Sequence, residues 1–252
     1  MPPPEEPVPP PEEPPKPPGT PTTVTQPIKD ILDEYYDYYD PDRADTLSPS
    51  DVNALPGADF EKQAIASGEK PSNVGTWGGF YDENTGNVYV RTGSEDRGLT
   101  ASHEFLHKVS NRGGFSPQET DSAGNVATVE KLGSGLEEAF TEHFNNKIAA
   151  RHNQPVGDSA YNTDGRVKVA EAIEAAVGRD TLGKAYFGKG AGPVNDLITA
   201  VDEKFGPGTW DKVRDLCNKK DAAGKPAPDF VGARTLLNPP AQAAPAAPAA
   251  GP

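Results

Sequence analysis

The stretch Leu99-Thr-Ala-Ser-His103-Glu104-Phe-Leu-His107-Lys-Val109 decides the reading of this chain. Leu99, Phe105, Leu106 and Val109 give it apolar sides for packing, and a helix is predicted over about residues 95–110. In a helix, positions i and i+4 stand one above the other, so both imidazoles point the same way. At that separation two histidine nitrogens can share one Zn²⁺ at about 2.0–2.1 Å. Glu104 is offset around the helix, so its carboxylate can take a proton from a water on the metal without displacing that water. The chain has only four histidines, at 103, 107, 143 and 152. Two of them fall four apart with the glutamate in the required place. That favours zinc-dependent hydrolysis over the simpler reading of two histidines on one face of a core helix.

Working outward, Trp77–Tyr81 and Val88–Arg91 are β-prone runs around the turn residues Asp82–Asn87, which include Asn84 and Gly86, and predict a hairpin. Further upstream, residues 27–39 predict an opening helix with Pro27 at its first position and Ile28, Ile31, Leu32 and Tyr35 on one face. Its Tyr/Asp alternation fits a half-buried amphipathic helix better than an acidic interaction patch. Downstream, helices are predicted over Ser134–His152, Asp164–Val177, Asp180–Phe187, Pro193–Phe205 and Gly208–Lys219. Ser134 with Glu137 makes a capping box, and Gly178 is a stop signal. The expected fold is α+β: a small β-hairpin or sheet, then a mainly helical C-terminal half, in one domain over residues 28–237.

A catalytic zinc needs a third protein ligand and an open fourth position. Gly135–Phe144 opens a long helix whose apolar stripe is Leu136, Ala139, Phe140, Phe144 and Ile148. Glu138 and Glu142, four apart beside that stripe, are placed to reach inward, whereas Glu137 reads as a solvated face. Glu119 and Asp121 compete for the third position, as does Glu142. For stabilising a developing oxyanion the better candidate is Tyr161, in the polar loop 157–163, with Tyr186, His143 and His152 as alternatives. His152 near a helix C-terminus is also explained by the helix dipole. An open edge on Val88–Arg91 would let an extended peptide pair there, and the long loop 111–133 is a lid or an exposed excursion.

His103-Glu104-Phe-Leu-His107 followed by Leu136-Glu-Glu138-Ala-Phe-Thr-Glu142 resembles the gluzincin group of zinc peptidases. That resemblance implies a zincin-like fold with Glu138 as third ligand. It also implies that Glu142 orients a ligating histidine, as a Glu-x-x-x-Glu helix does in toxin-like members such as anthrax lethal factor. Residues 161–187 are similar to the tail of small bacterial HExxH domains found in polymorphic toxins and phage-associated proteins. The resemblance spans about residues 74–187, and its specific parts are the two helices. There are departures. Ser110 and Gly113 stand where a metzincin needs Gly and His. The Gly-x-Met-Glu-Asn motif of aminopeptidases is missing, since the only methionine is Met1, and so is the thermolysin-type Asn-Glu-x-x-Ser-Asp pattern. Endopeptidase is the implied activity, with Glu104 as general base.

Both ends differ from the middle. Residues 2–27 hold 13 of the chain's 28 prolines and repeat Pro-Pro-Pro-Glu-Glu-Pro at 2–7 and 9–14. Proline fixes φ and removes donors, so residues 1–27 are expected to form a disordered polyproline-II arm. Residues 238–252 are expected to form a disordered Ala/Pro tail. A net charge of −14 over 252 residues, without a basic stripe, disfavours nucleic acid as a partner. No apolar run approaches the ~20 residues of a membrane span. The lone Cys217 excludes an internal disulfide and reads as a small buried residue. The expected partner is a peptide or protein substrate of a monomer. Without a charged-then-apolar leader, delivery as a bacterial or phage effector is favoured over a cytoplasmic role. The competing reading is a non-catalytic, zinc-stabilised interaction module carried on the proline-rich arm, in which Glu104 would have no task.

Overall fold

The computed structural model describes residues 22–39, 46–93, 97–120, 126–153 and 160–238. The proline-rich run through residue 21, the tail from 239 and Asp121 lie outside them.

Helix α1, Thr22–Glu34, opens five residues before its predicted start, and Pro27 lies inside it. A proline in the second turn of a helix removes a single i→i−4 bond. Here that loss is offset by Ile28, Ile31 and Tyr35, all at most 1% exposed. Strand β1, Val52–Leu55, and the helices α2, Gly57–Ala66, and α3, Pro71–Val74, follow. The predicted hairpin is present as β2, Gly79–Asp82, and β3, Asn87–Arg91, paired antiparallel. β1, which the sequence reading missed, joins parallel to β3 with Val52 opposite Val88, giving the order β1-β3-β2.

Strand alternation divides this sheet between two apolar clusters. Val88 and Val90 face the main core. Phe80 and Tyr89 face a small one, built on Phe60, Ala64 and Val74. Arg91 ties the small cluster together. Its guanidinium lies over the Phe60 ring at 4.8 Å and donates to the carbonyls of Trp77 at 3.0 Å and Val74 at 2.8 Å.

The rest is helical. α4, Arg97–Val109, leads to the single turn α5, Arg112–Phe115, and the hairpin β4, Gln118–Thr120, and β5, Val126–Thr128. Part of the predicted loop 111–133 is therefore structured. Then come α6, Ser134–Arg151; α7, Ala160–Thr163; α8, Arg166–Val177; α9, Arg179–Phe187; α10, Ala191–Phe205; α11, Thr209–Cys217; and α12, Phe230–Leu237. Every helix predicted from residue 95 onward is present within two residues at each end, and α5, α7 and α12 are additional. Gly178 ends α8 as expected, and Cys217 is buried.

α6 runs through the middle of the main core. Phe144 on α6 meets Phe187 and Tyr186 of α9, with ring centroids 4.9 and 5.0 Å away, and Tyr35 beyond α1 at 5.2 Å. The expected capping box at its start is not formed: the N-cap is Gly133, at φ +77, with no side-chain cap. Asn218, just after α11, accepts from the Gly135 N–H at 2.8 Å and donates to the Leu132 carbonyl at 3.1 Å. A Cβ on Gly133 would sit 2.2 Å from that amide, so a tertiary cap replaces the local one. The expected layout, a small sheet followed by a mainly helical half, describes the molecule. No described helix is long and apolar enough to cross a membrane.

Candidate metal centre

α4 and α6 face each other with their polar residues inward. The Nε2 atoms of His103 and His107 lie 3.2 Å apart. Glu138 on α6 sets Oε2 at 3.3 Å from the first and Oε1 at 3.5 Å from the second. Bonds of about 2.0–2.1 Å to a tetrahedral ion require ligand atoms about 3.3 Å apart, which these spacings match. Glu138 Oε2 is buried without a hydrogen-bond partner. That oxygen instead faces His103 Nε2 at 3.3 Å, and a cation between the two would engage both. The donor set, two imidazoles and a carboxylate, suits Zn²⁺.

The opposite ring nitrogens fix the histidines. His103 Nδ1 lies 2.9 Å from Glu142 Oε2, and His107 Nδ1 lies 3.2 Å from Glu137 Oε1. Each carboxylate thereby holds its imidazole with Nε2 toward the cluster. Glu142 is fully engaged, because Asn145 donates to Oε2 at 3.2 Å and Asn162 to Oε1 at 3.0 Å. Of the two α6 acids weighed for the third position, Glu138 is thus the one whose carboxylate faces both imidazole Nε2 atoms.

Glu137 was expected to be a solvated residue, and its position overturns that. Arg112 places Nη2 3.1 Å from its Oε1 while pairing with Glu83 through Nη1. At 3.6 residues per turn, positions 137, 138 and 142 fall within an arc of about 140°, which was the signal available in sequence. A capping box with Ser134 also claims Glu137 from sequence, and that box is not formed.

Electrostatics follow the same contacts. Burial disfavours the charged form of His103, but Glu138 and Glu142 outweigh it and hold its pKa up at about 9. For His107, burial is likewise outweighed by Glu138 and Glu137, and its pKa is raised well above the ordinary value. Glu138 is held well below the usual carboxylate range, because His107 and His103 overcome its burial. Glu104 goes the other way: burial raises it, against the pull of His103 and His107.

The cluster lies in a cleft of about 680 Å³, also lined by Trp77, Gly79, Tyr81, Glu104, Glu142 and Tyr161. A Cβ on Gly79 would come within 2.8 Å of Glu104 Cγ and Thr100 Cγ2, so glycine is what lets β2 descend onto α4. Glu104 accepts a hydrogen bond from the Tyr81 backbone. Tyr161, on α7, has its ring centroid 5.2 Å from that of His103. Burial raises its phenol far above the ordinary value, so it stays a proton donor. Tyr186, His143 and His152 do not line the cleft. Tyr186 pairs with Thr141 at 2.6 Å, His143 with Glu174 at 2.9 Å, and His152 with Asp30 at 2.6 Å.

The open strand edge is not where the sequence placed it. β3 is the central strand, paired on both sides, and the edge strand beside the cleft is β2. The Arg91 N–H donates to the Gly78 carbonyl at 2.7 Å. Residues 79 and 81 therefore direct their backbone polar groups outward, by the alternation of an antiparallel ladder. Compared with protein-family models, with curated proteins and with solved structures, the chain matches none.

Proposed function

We propose that this chain is a zinc-dependent endopeptidase of the gluzincin kind, on a zincin-like fold. The observation that carries the reading is the convergence of His103 Nε2, His107 Nε2 and the buried Glu138 carboxylate, with Glu104 in the same cleft. Zinc, when bound, supplies a Lewis acid that acidifies a water and polarises a peptide carbonyl. Glu104 takes the proton from the attacking water and returns it to the leaving nitrogen. Tyr161 donates to the oxygen on which charge develops. An extended substrate adds to the outer edge of β2 through Gly79, since the Tyr81 backbone already serves Glu104. With this reading goes the proposal of a delivered bacterial or phage effector, which rests on the sequence resemblance of residues 161–187 alone.

The test is a measurement of metal content and peptide-library cleavage for the wild type and Glu104→Gln. About one zinc per chain is expected in both, with cleavage reduced about 10²–10⁴-fold in the variant. Cleavage unchanged in that variant rules the mechanism out.

A further inference from the structure

We infer that Arg166 is a positioning residue for Tyr161, an inference that rests on the reading of Tyr161 as the oxyanion donor. Tyr161 sits on α7, a helix of four residues. A single turn cannot hold its own conformation, because helix nucleation is unfavourable at that length. Its ring must be fixed from outside.

The Arg166 guanidinium does this. Its Cζ lies 4.3 Å from the centroid of the Tyr161 ring. The same carbon lies 5.2 Å from the centroid of the Phe230 ring, so one cation is shared between the cleft wall and α12. Asp164 fixes the guanidinium in turn: Oδ2 accepts from Nε at 2.8 Å and from Nη2 at 2.6 Å. Its Oδ1 accepts from the Arg166 backbone N–H at 3.0 Å. The Arg166 side chain is 17% exposed, so solvent weakens the stack little. Arginine suits the place because its guanidinium is planar, weakly hydrated and able to pair while it stacks.

α7 is therefore pinned at two adjacent residues. Asn162 donates to Glu142, the carboxylate behind His103, and Arg166 covers the face of Tyr161. A contact on the ring face leaves the hydroxyl at the ring edge free to meet substrate. Arg166 acts through Tyr161 and touches no reacting atom.

The test uses the full chain, with and without zinc, carrying ¹³C-labelled tyrosine and assigned by Tyr161→Phe. The first readout is the nuclear Overhauser contact between the Tyr161 and His103 rings; the second is kcat against KM. In Arg166→Met, which keeps the apolar stem, the contact is expected to fade. There kcat is expected to fall about 10-fold at unchanged KM and zinc content. Arg166→Lys recovers part of both, and Asp164→Asn shows a smaller loss of both should Arg166→Met fail to fold. An undiminished ring contact in Arg166→Met overturns the inference, as does unchanged kcat there when Tyr161→Phe loses kcat. If Tyr161→Phe itself keeps kcat, the oxyanion role of Tyr161 falls, and the ring contact still decides whether Arg166 positions that ring.

Discussion

The two walls of the cleft rest on very different foundations. α4 and α6, which carry His103, His107 and Glu138, emerge from a core that includes Phe105, Phe140, Phe144, Tyr186 and Phe187, all at most 1% exposed. The facing wall, β2, turns Tyr81 to the main core but Phe80 into a cluster of four buried residues, with Phe60, Ala64 and Val74, drawn together by Arg91. On the proposed reading, metal geometry tolerates little displacement, so its residues belong on the rigid side. On the same reading, a strand edge that accepts different peptide backbones belongs on the side that opens at low cost.

That contrast can be broken most directly through stability. Phe144→Ala should lose about 3–5 kcal/mol in chemical denaturation, as expected for a fully buried aromatic. Phe80→Ala should lose about 1–3 kcal/mol while raising KM. Equal losses would mean that the two walls are one structural unit.

Gly79→Val sharpens the contrast from the other side. Its branched side chain must displace Glu104 or lift β2, so kcat/KM is expected to fall at least about 10-fold with the denaturation midpoint little changed. A stability loss as large as that of Phe144→Ala would show that β2 is a buttress of the whole domain.

The smallest effect concerns the charge behind α6. Glu174 bonds His143 and pairs with Lys147, and these partners pull its carboxyl down to about 2 from 4.5, against some burial. A lowered folded pKa gives stability that is present above about pH 4.5 and lost as the pH falls toward 2. Glu174→Gln should therefore melt lower than wild type at neutral pH, with the gap closing by about pH 2. A gap constant over that range would mean that Glu174 contributes by shape rather than charge.

Sequence exposed what is local. His103, Glu104 and His107 lie in one helical turn, so spacing alone juxtaposes them, and Glu138 and Glu142 stand on one face of α6 for the same reason. What depended on distant partners was not readable. β1 is four residues long with weak alternation, and its strand character comes from Val88, far along the chain. Glu137 looked like half of a capping box because its true partner, His107, is thirty residues upstream and the true cap, Asn218, more than eighty downstream. The free edge was assigned to β3 because only the hairpin was visible; adding β1 moved the edge to β2.

The three glutamates of α6 meet the two histidines of α4 at positions fixed by helical rotation, and this sets where the chain can change length. Deleting one residue between Glu138 and Glu142 would swing Glu142 by about 100° away from His103. The same deletion in the connection between α5 and α6 would leave every one of these contacts in phase. Chain length is constrained inside the two helices and less so in part of the connection between them, so insertions should accumulate between residues 120 and 126 and be purged from residues 103–107 and 137–142.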